Sequence, residues 1–459
     1  SGTAVTLACG ATQSGFGRNG SVNWQTTIKT GDFTAASGEG YFINTTSGPI
    51  TMTLPSSPSV GDIVAFKDYA GTFQTSNLTI NRNGSNVVGG TDNPIVTVEG
   101  QSVILVYGDA TQGWQPVEAA TNADLPRPSF IQATGGTITT VCTNFKVHTF
   151  TGPGTFCVSQ IGCSGVNDKV DYLVVAGGAS GSMGNDAGSA GSGAGGVRFS
   201  ATTWCAPSPV SPRAAPAAIT VTATSFPITV GGGGASVANG ASENTRAGAD
   251  GSQSIFSSIT SAGGGGGAGY QGTGSAPPNG RSGGSGGGSG ADGSPTAGGA
   301  GNTPPVSPSQ GFPGGNGLAS PAAPDYPSGG GGGAGGAGGN GGPGGCAAGG
   351  AGGVGLQVNI DGNDYYYGGG GGSSSWTGSY ASGAGGLGGG GGGSNAVGTV
   401  GAGGGSARST GSPGGTTGSA NGGAGGANTG GGGGAAISPY TNASGGGGSG
   451  IVIIRYRFQ

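Results

Sequence analysis

Residues 331–353 read GGGAGGAGGNGGPGGCAAGGAGG, and Ala334, Ala337, Asn340, Pro343 and Cys346 recur at every third position with glycine pairs between them. Three residues per turn is the period of the polyproline II helix, here in its polyglycine form. Such a helix makes no internal hydrogen bonds, so its N–H and C=O groups must be met by water or by neighbours of the same kind. Glycine lacks Cβ, which lets neighbouring backbones come close enough to bond to one another. A residue at every third place keeps its side chain on one face. The spacing predicts a bundle of packed helices.

Further glycine tracts at 231–234, 263–267, 368–372, 388–393, 430–434 and 445–448 read as other staves of the same object. Asn421, Ala424 and Ala427 repeat the triplet spacing, as do Ala381, Ala384 and Leu387. A flexible Gly/Ser linker has similar composition. Against it stands the bracketing of the glycine region by Val170–Val175 (VDYLVV) and Ile451–Phe458 (IVIIRYRF), both strong strand signals. These two strands are expected to share one sheet and to close the domain. The fold class expected is all-β plus a polyglycine II helix bundle, with small β modules at the N-terminus and essentially no α-helix.

Most of the 119 glycines lie after residue 176, which places a composition boundary near Gly177. Charged residues make up 7% of the chain, with 14 Lys plus Arg against 18 Asp plus Glu. No concentrated basic surface is visible for phosphates, so nucleic acid is not expected as a partner. No apolar run approaches the ~20 residues of a membrane span, so no membrane insertion is expected. The chain starts at Ser1 without Met, which suggests processing. Six cysteines (Cys9, Cys142, Cys157, Cys163, Cys205, Cys346) form no C-x-x-C pair and accompany a single histidine, so zinc is not expected. Disulfides in an oxidising compartment are the reading adopted, with free buried thiols as the alternative.

In chain order, residues 1–38 are weakly patterned and read as an N-terminal connector or strand. Residues 39–122 read as a β module of short strands cut by turn residues. Residues 123–176 hold a stiff LPRP linker and a β-hairpin unit, with Phe145–Phe150 and Thr155–Val158 joined by Thr151–Gly154. Residues 177–459 form the glycine-rich bundle closed by strand 451–458. His148 lies in a strand between Val147 and Thr149 with no carboxylate or nucleophile spaced to work with it, so it is given no chemistry. Asp361–Gly362–Asn363–Asp364 lacks the spacing and terminal Glu of a calcium loop and reads as a hairpin turn between 358–360 and 365–367.

The run from Tyr41 (YFINTTSGPITMTLPSSPSVGDIVAFKDYAGTF) through VILVYGDATQGWQPVE resembles a β module that recurs in tail-fibre and structural proteins of marine bacteriophages. FKVHTFTGPGTFCV, DKVDYLVVAGG, the glycine tracts and the closing GGGGSGIVIIRYRF resemble the glycine-rich terminal domain of many phage tail fibres, cyanophage ones especially. The design is also similar to the polyglycine-sandwich adhesins at the tips of T-even-type long tail fibres, which carry receptor specificity on loops at one end of the bundle. The resemblance implies a virion tail-fibre adhesin that meets a host cell-surface glycan or outer-membrane protein, assembled as a homo-oligomer, a trimer or a filament. The cysteines and the Ser1 start favour an alternative, a secreted structural subunit of an extracellular bacterial surface filament. Either places the chain outside the cell, on a virion or in a surface filament.

No G-x-x-x-x-G-K-[ST] is present and no carboxylate pair stands out, so neither an enzyme nor a cofactor is expected. The segments between glycine tracts are where function is expected to sit. Tyr270, Phe312, Tyr326, Trp376, Tyr380 and Tyr440 lie there among small polar residues, the composition of adaptable recognition surfaces. They are the candidate receptor-binding residues. The bland alternative is that each ring merely covers the end of the bundle. Trp376, Tyr380 and Tyr440 in particular are expected near one another at one end.

Overall fold

Runs rich in β-branched and aromatic residues, cut by Gly, Asn and Ser, make short strands in the first part of the chain. The computed structural model describes residues 22–118, 130–162, 167–185, 188–204, 213–238, 246–269, 279–291, 296–318, 327–342, 348–375, 380–405, 408–416, 420–438 and 442–459. The chain divides into two units between Ser129 and Phe130.

The first unit holds β1 (Asn23–Trp24), β2 (Phe33–Thr34), β3 (Glu39–Ile43), β4 (Ile50–Thr53), β5 (Ile63–Asp68), β6 (Leu78–Asn81), β7 (Ile95–Val96), β8 (Ser102–Asp109) and β9 (Gly113–Pro116). β1, β3, β5, β8 and β9 form one sheet and β2, β4, β6 and β7 the other. Pairing is parallel along β1–β3–β5 and along β2–β4–β6. The chain therefore crosses between sheets at each step and returns one strand further on, winding as a short coil that β7 and β8 close antiparallel. Alternation puts Ile50, Met52, Leu78 and Ile80 inward, where they meet Tyr41, Ile43, Phe66, Leu105 and Trp114. Each such side chain contributes about 1.5–3 kcal/mol by leaving water. The stretch expected as a connector joins this module from Asn23 on, through β1 and β2.

The second unit holds β10 (Gln132–Thr134), β11 (Thr137–Val141), β12 (Phe145–Phe150), β13 (Gly154–Gln160), β14 (Lys169–Val175), β15 (Met183–Asn185), β16 (Val197–Phe199), β17 (Ile219–Thr220), β18 (Ser225–Thr229), β19 (Ser254–Phe256), β20 (Ile259–Ser261), β21 (Leu356–Val358), β22 (Tyr365–Tyr367), β23 (Ala436–Ser438) and β24 (Ile451–Arg457). Its central sheet runs β11-β12-β24-β14-β16. β14 and β24 pair antiparallel, Asp171 opposite Arg455 and Val175 opposite Ile451, so the bracketing strands do share a sheet. Their nearly unbroken apolar runs follow from burial on both faces. Tyr172, Val174, Val452 and Ile454 face Phe156, Ile228 and Phe256 of the β10-β13-β18-β19-β20 sheet. Leu173, Val175, Ile451 and Ile453 pack with Leu356, Ile360 and Tyr367 around the β21–β22 hairpin. That hairpin turns at Asp361–Asp364, as its spacing suggests.

The expected 145–158 hairpin is corrected. β12 pairs with β11 and β24, while β13 pairs with β10 and β18 in the other sheet. Phe150 and Phe156 both enter the layer between the sheets, so the turn at 151–154 carries the chain across that layer.

Beyond β14 the glycine staves follow a three-residue register. The N–H groups of Gly177, Ser180 and Met183 donate to Ser252, Ala249 and Arg246. Those of Gly178 and Gly181 donate to Gly448 and Gly445, and those of Ala179 and Ser182 to Gly193 and Ala190. Each third N–H meets the same neighbour, which is the geometry of a polyglycine II helix bonded on three sides. Close approach requires glycine: a Cβ on Gly331 would stand 1.8 Å from the Ser192 carbonyl oxygen. The hydroxyl of Ser192, inside a stave, joins the ladder: its Oγ lies 2.7 Å from the Ala179 oxygen and 2.9 Å from that of Gly433. No α-helix occurs among the described residues, and so none that is long and apolar enough to cross a membrane.

Residues 331–353 do not form one stave. Gly333 donates to Gly336 and Gly330 to Gly339, so the chain reverses between Ala334 and Gly336, and Gly350 and Gly353 return to Ser328 and Gly331. Triplet spacing holds within each stave, and glycine pairs also make turns.

Candidate functional site

Direction along the bundle can be read from the hydrogen-bond register. β14 feeds Gly177 and Gly450 feeds β24, which fixes the end next to the sheet. Stave 177–185 leads away from it. Staves 190–196, 246–252 and 445–450 run antiparallel to that stave, and 431–438 runs parallel to it through Gly433 to Ala179 and Ala436 to Ser182. Stave 368–375 is antiparallel to 190–196 (Gly371 to Ser192, Ser374 to Ser189) and parallel to 431–438 (Gly432 to Gly369, Ala435 to Gly372). Ser375 and Ser438 therefore stand at the far end on neighbouring staves, immediately before residues 376–379 and 439–441. Trp376 and Tyr440 lie outside the described residues.

The same reasoning places other flanks there. Stave 262–269 runs outward because Gly264 and Gly267 donate to Gly177 and Ser180, so Gly269, before Tyr270, is at the far end. Gly191 and Ala194 donate to Gly329 and Gly332, which puts Pro327, after Tyr326, there too. Tyr270 and Tyr326 also fall outside the described residues. Tyr380 is described, half-buried, and opens a stave whose carbonyls at Ala381, Ala384 and Leu387 accept from Gly349, Gly352 and Gly355.

The residue that organises this end was missed in the sequence. Asn395 is fully buried; its Nδ2 donates to the Tyr380 carbonyl at 2.7 Å and its Oδ1 accepts from Val397 and Gly398 at 3.1 and 2.7 Å. It also bridges to Ser375. The only hint was a Ser-Asn pair closing a six-glycine run. Neighbouring hydroxyls and amides stitch the staves as they end: Ser189 Oγ donates to Ala436, and Asn442 Nδ2 to Ile437. Asn421 Oδ1 accepts from the Ala443 N–H. These groups make a rigid, uncharged base that can present segments for stacking and hydrogen bonding.

Phe312 sits elsewhere. Its N–H donates to Gly333, beside the turn at 334–336, and its carbonyl accepts from Gly286, so it belongs to a stave at the sheet end. Its ring lies 4.9 Å under the Arg213 guanidinium, which the carbonyls of Ala334 and Ser309 hold; burial lowers the pKa of that cation. Asp361 is likewise at the sheet end, paired with Arg408 at 2.6 Å.

Cys142 and Cys157 are free thiols, so the expected disulfide framework finds no support among the described residues. Cys142 sits exposed in the β11–β12 turn, and Cys157 lies in β13 of the other sheet, where Ser225 Oγ contacts its sulfur at 3.4 Å. Cys9, Cys163, Cys205 and Cys346 lie outside the described residues. His148 is fully buried and pairs within the central sheet, opposite Ile138 and Ile454.

A family model described as a glycine-rich domain matches residues 151–427, more than half of the chain. No curated protein matches the chain.

Proposed function

We propose that this chain, which belongs to the glycine-rich domain family, is a tail-fibre-type adhesin that binds a host cell-surface glycan or outer-membrane protein. The observation that carries this reading is the shared far end: Ser375, Ser438, Gly269, Pro327 and Tyr380 all stand at one end of a hydrogen-bonded bundle. A scaffold that delivers many aromatic-bearing segments to one end suits recognition, because ordering a segment costs about 1–2 kcal/mol per residue and is offset by contact with a partner. The role assigned is binding, not catalysis. It needs no cofactor, and it belongs outside the cell, on a virion or another surface particle.

The test is cell binding by the chain carrying Trp376→Ala, Tyr380→Ala and Tyr440→Ala together. The expected result is unchanged folding with binding to host cells abolished. A triple variant that still binds cells as the wild type does would remove the adhesive role, and the reading as a stiff subunit of a surface filament would replace it.

A further inference from the structure

The sheet β1-β3-β5-β8-β9 buries one face in the core of the first unit, and its other face should be polar if water covers it. It is not. Trp24, Phe42, Tyr69, Ile104, Val106 and Val117 occupy the outward positions, opposite in alternation to Tyr41, Phe66 and Leu105. Tyr69 is 56% exposed and Val117 57%. Gly40 sits under Trp24; a Cβ there would meet the indole at 2.8 Å, so glycine lets the ring lie down on the strands. A contiguous apolar face of this kind marks an interaction surface.

Two observations choose its occupant. Charge is nearly absent: Lys67 is the cation on the outward positions of β5, and its ammonium is turned to the Gly100 carbonyl. An uncharged face can meet a copy of itself without like-charge repulsion, whereas a charged partner would find nothing to pair with. The rings are not coplanar, since Trp24 and Phe42 are inclined by 34° and Phe42 and Tyr69 by 76°. That is no flat shelf for a sugar. Tilted aromatics beside aliphatic side chains instead match the interdigitating centre of a protein interface. We infer that this face is a self-association surface, occupied by the same face of a second copy of the chain across a two-fold axis.

Analytical ultracentrifugation of the full chain at micromolar concentration tests it, comparing wild type with Tyr69→Asp/Val117→Asp and with Val397→Asp. Val397 is 65% exposed and belongs to the second unit. The expected result is an assembled wild type, a monomeric double variant with an unchanged β-sheet spectrum, and a Val397→Asp protein assembled as the wild type. A monomeric wild type would overturn the inference and leave the face to an intramolecular cover such as residues 1–21. A double variant that assembles like the wild type would overturn it as well.

Discussion

The hydroxyl of Tyr456 lies 3.0 Å from Nε2 of His148, joining the closing strand to a strand 308 residues earlier. The other ring nitrogen, Nδ1, is 2.7 Å from the Gly135 carbonyl. A carbonyl only accepts, so Nδ1 carries the proton and Nε2 accepts from the Tyr456 hydroxyl. The imidazole is neutral in this arrangement. Burial lowers the pKa of His148 from 6.5, partly opposed by the bond to Gly135, and burial raises that of Tyr456 to about 12.

Both shifts give a pH dependence of stability. For His148 the unfolded chain binds more protons than the folded one below pH 6.5, so stability is full above that pH and is lost as pH falls below it. For Tyr456 the contribution is full below pH 10.0 and is lost as pH rises toward about 12. Urea midpoints of the second unit should form a plateau between those limits. His148→Phe should flatten the acid limb while costing about 1–3 kcal/mol on the plateau, because the Gly135 carbonyl loses its buried donor.

A second prediction separates glycines by what surrounds them. Gly331 is buried, its N–H donates to Gly371 at 2.9 Å, and a Cβ would collide with the Ser192 oxygen. Gly232, also in a glycine tract, has nothing within 4 Å of that position. Gly331→Ala should destabilise by about 3 kcal/mol or more through displaced backbone bonds, and Gly232→Ala by less than about 0.5 kcal/mol. At the half-buried Gly338, valine should do more damage than a change of the exposed Asn340, since a Cβ would stand 2.2 Å from the Gly330 oxygen. Denaturant midpoints give both comparisons. Equal effects at Gly331 and Gly232 would contradict the close packing.

Asparagine at the rim gives a third. The Oδ1 of Asn340 accepts from the Asn316 N–H at 2.8 Å, and that of Asn316 from the Gly298 N–H at 2.9 Å. These amides replace the missing next stave at the exposed edge. Asn316→Ala should cost about 1 kcal/mol, near the net value of one such bond, and should speed hydrogen exchange at Gly298 first.

The triplet period and the two apolar strands made the bundle and its closing sheet readable, because both come from rules local to a few residues. What needed the structure was connectivity. A glycine pair looks the same inside a stave and at a reversal, so residues 331–353 read as one helix when they contribute to three. Thr151–Gly154 is an equally good signal for a hairpin and for a crossing between sheets. Phe312 has the same polar, small-residue setting as Tyr380, yet the two belong to opposite ends of the bundle. Only the register of bonds between distant tracts tells those ends apart.

Asn395 offers the sharpest test of how the far end holds Tyr380. Its amide clamps the Tyr380 carbonyl and closes the turn at Val397 and Gly398, while its backbone N–H donates to Gly415 within the bundle. Asn395→Ala keeps the backbone bond and releases three polar groups next to the candidate surface. The cost should be about 1–3 kcal/mol, with the second unit still folded, because the apolar layers on both faces of the central sheet are untouched. Cell binding should fall with it, by a smaller factor than in the triple aromatic variant, since Tyr380 loses its fixed position and keeps its ring. Asn395→Asp retains the acceptor for Val397 and Gly398 but sets a carboxylate against the Tyr380 carbonyl, and should be worse than alanine for both stability and binding. Binding that stays at the wild-type level in both variants would separate Tyr380 from recognition.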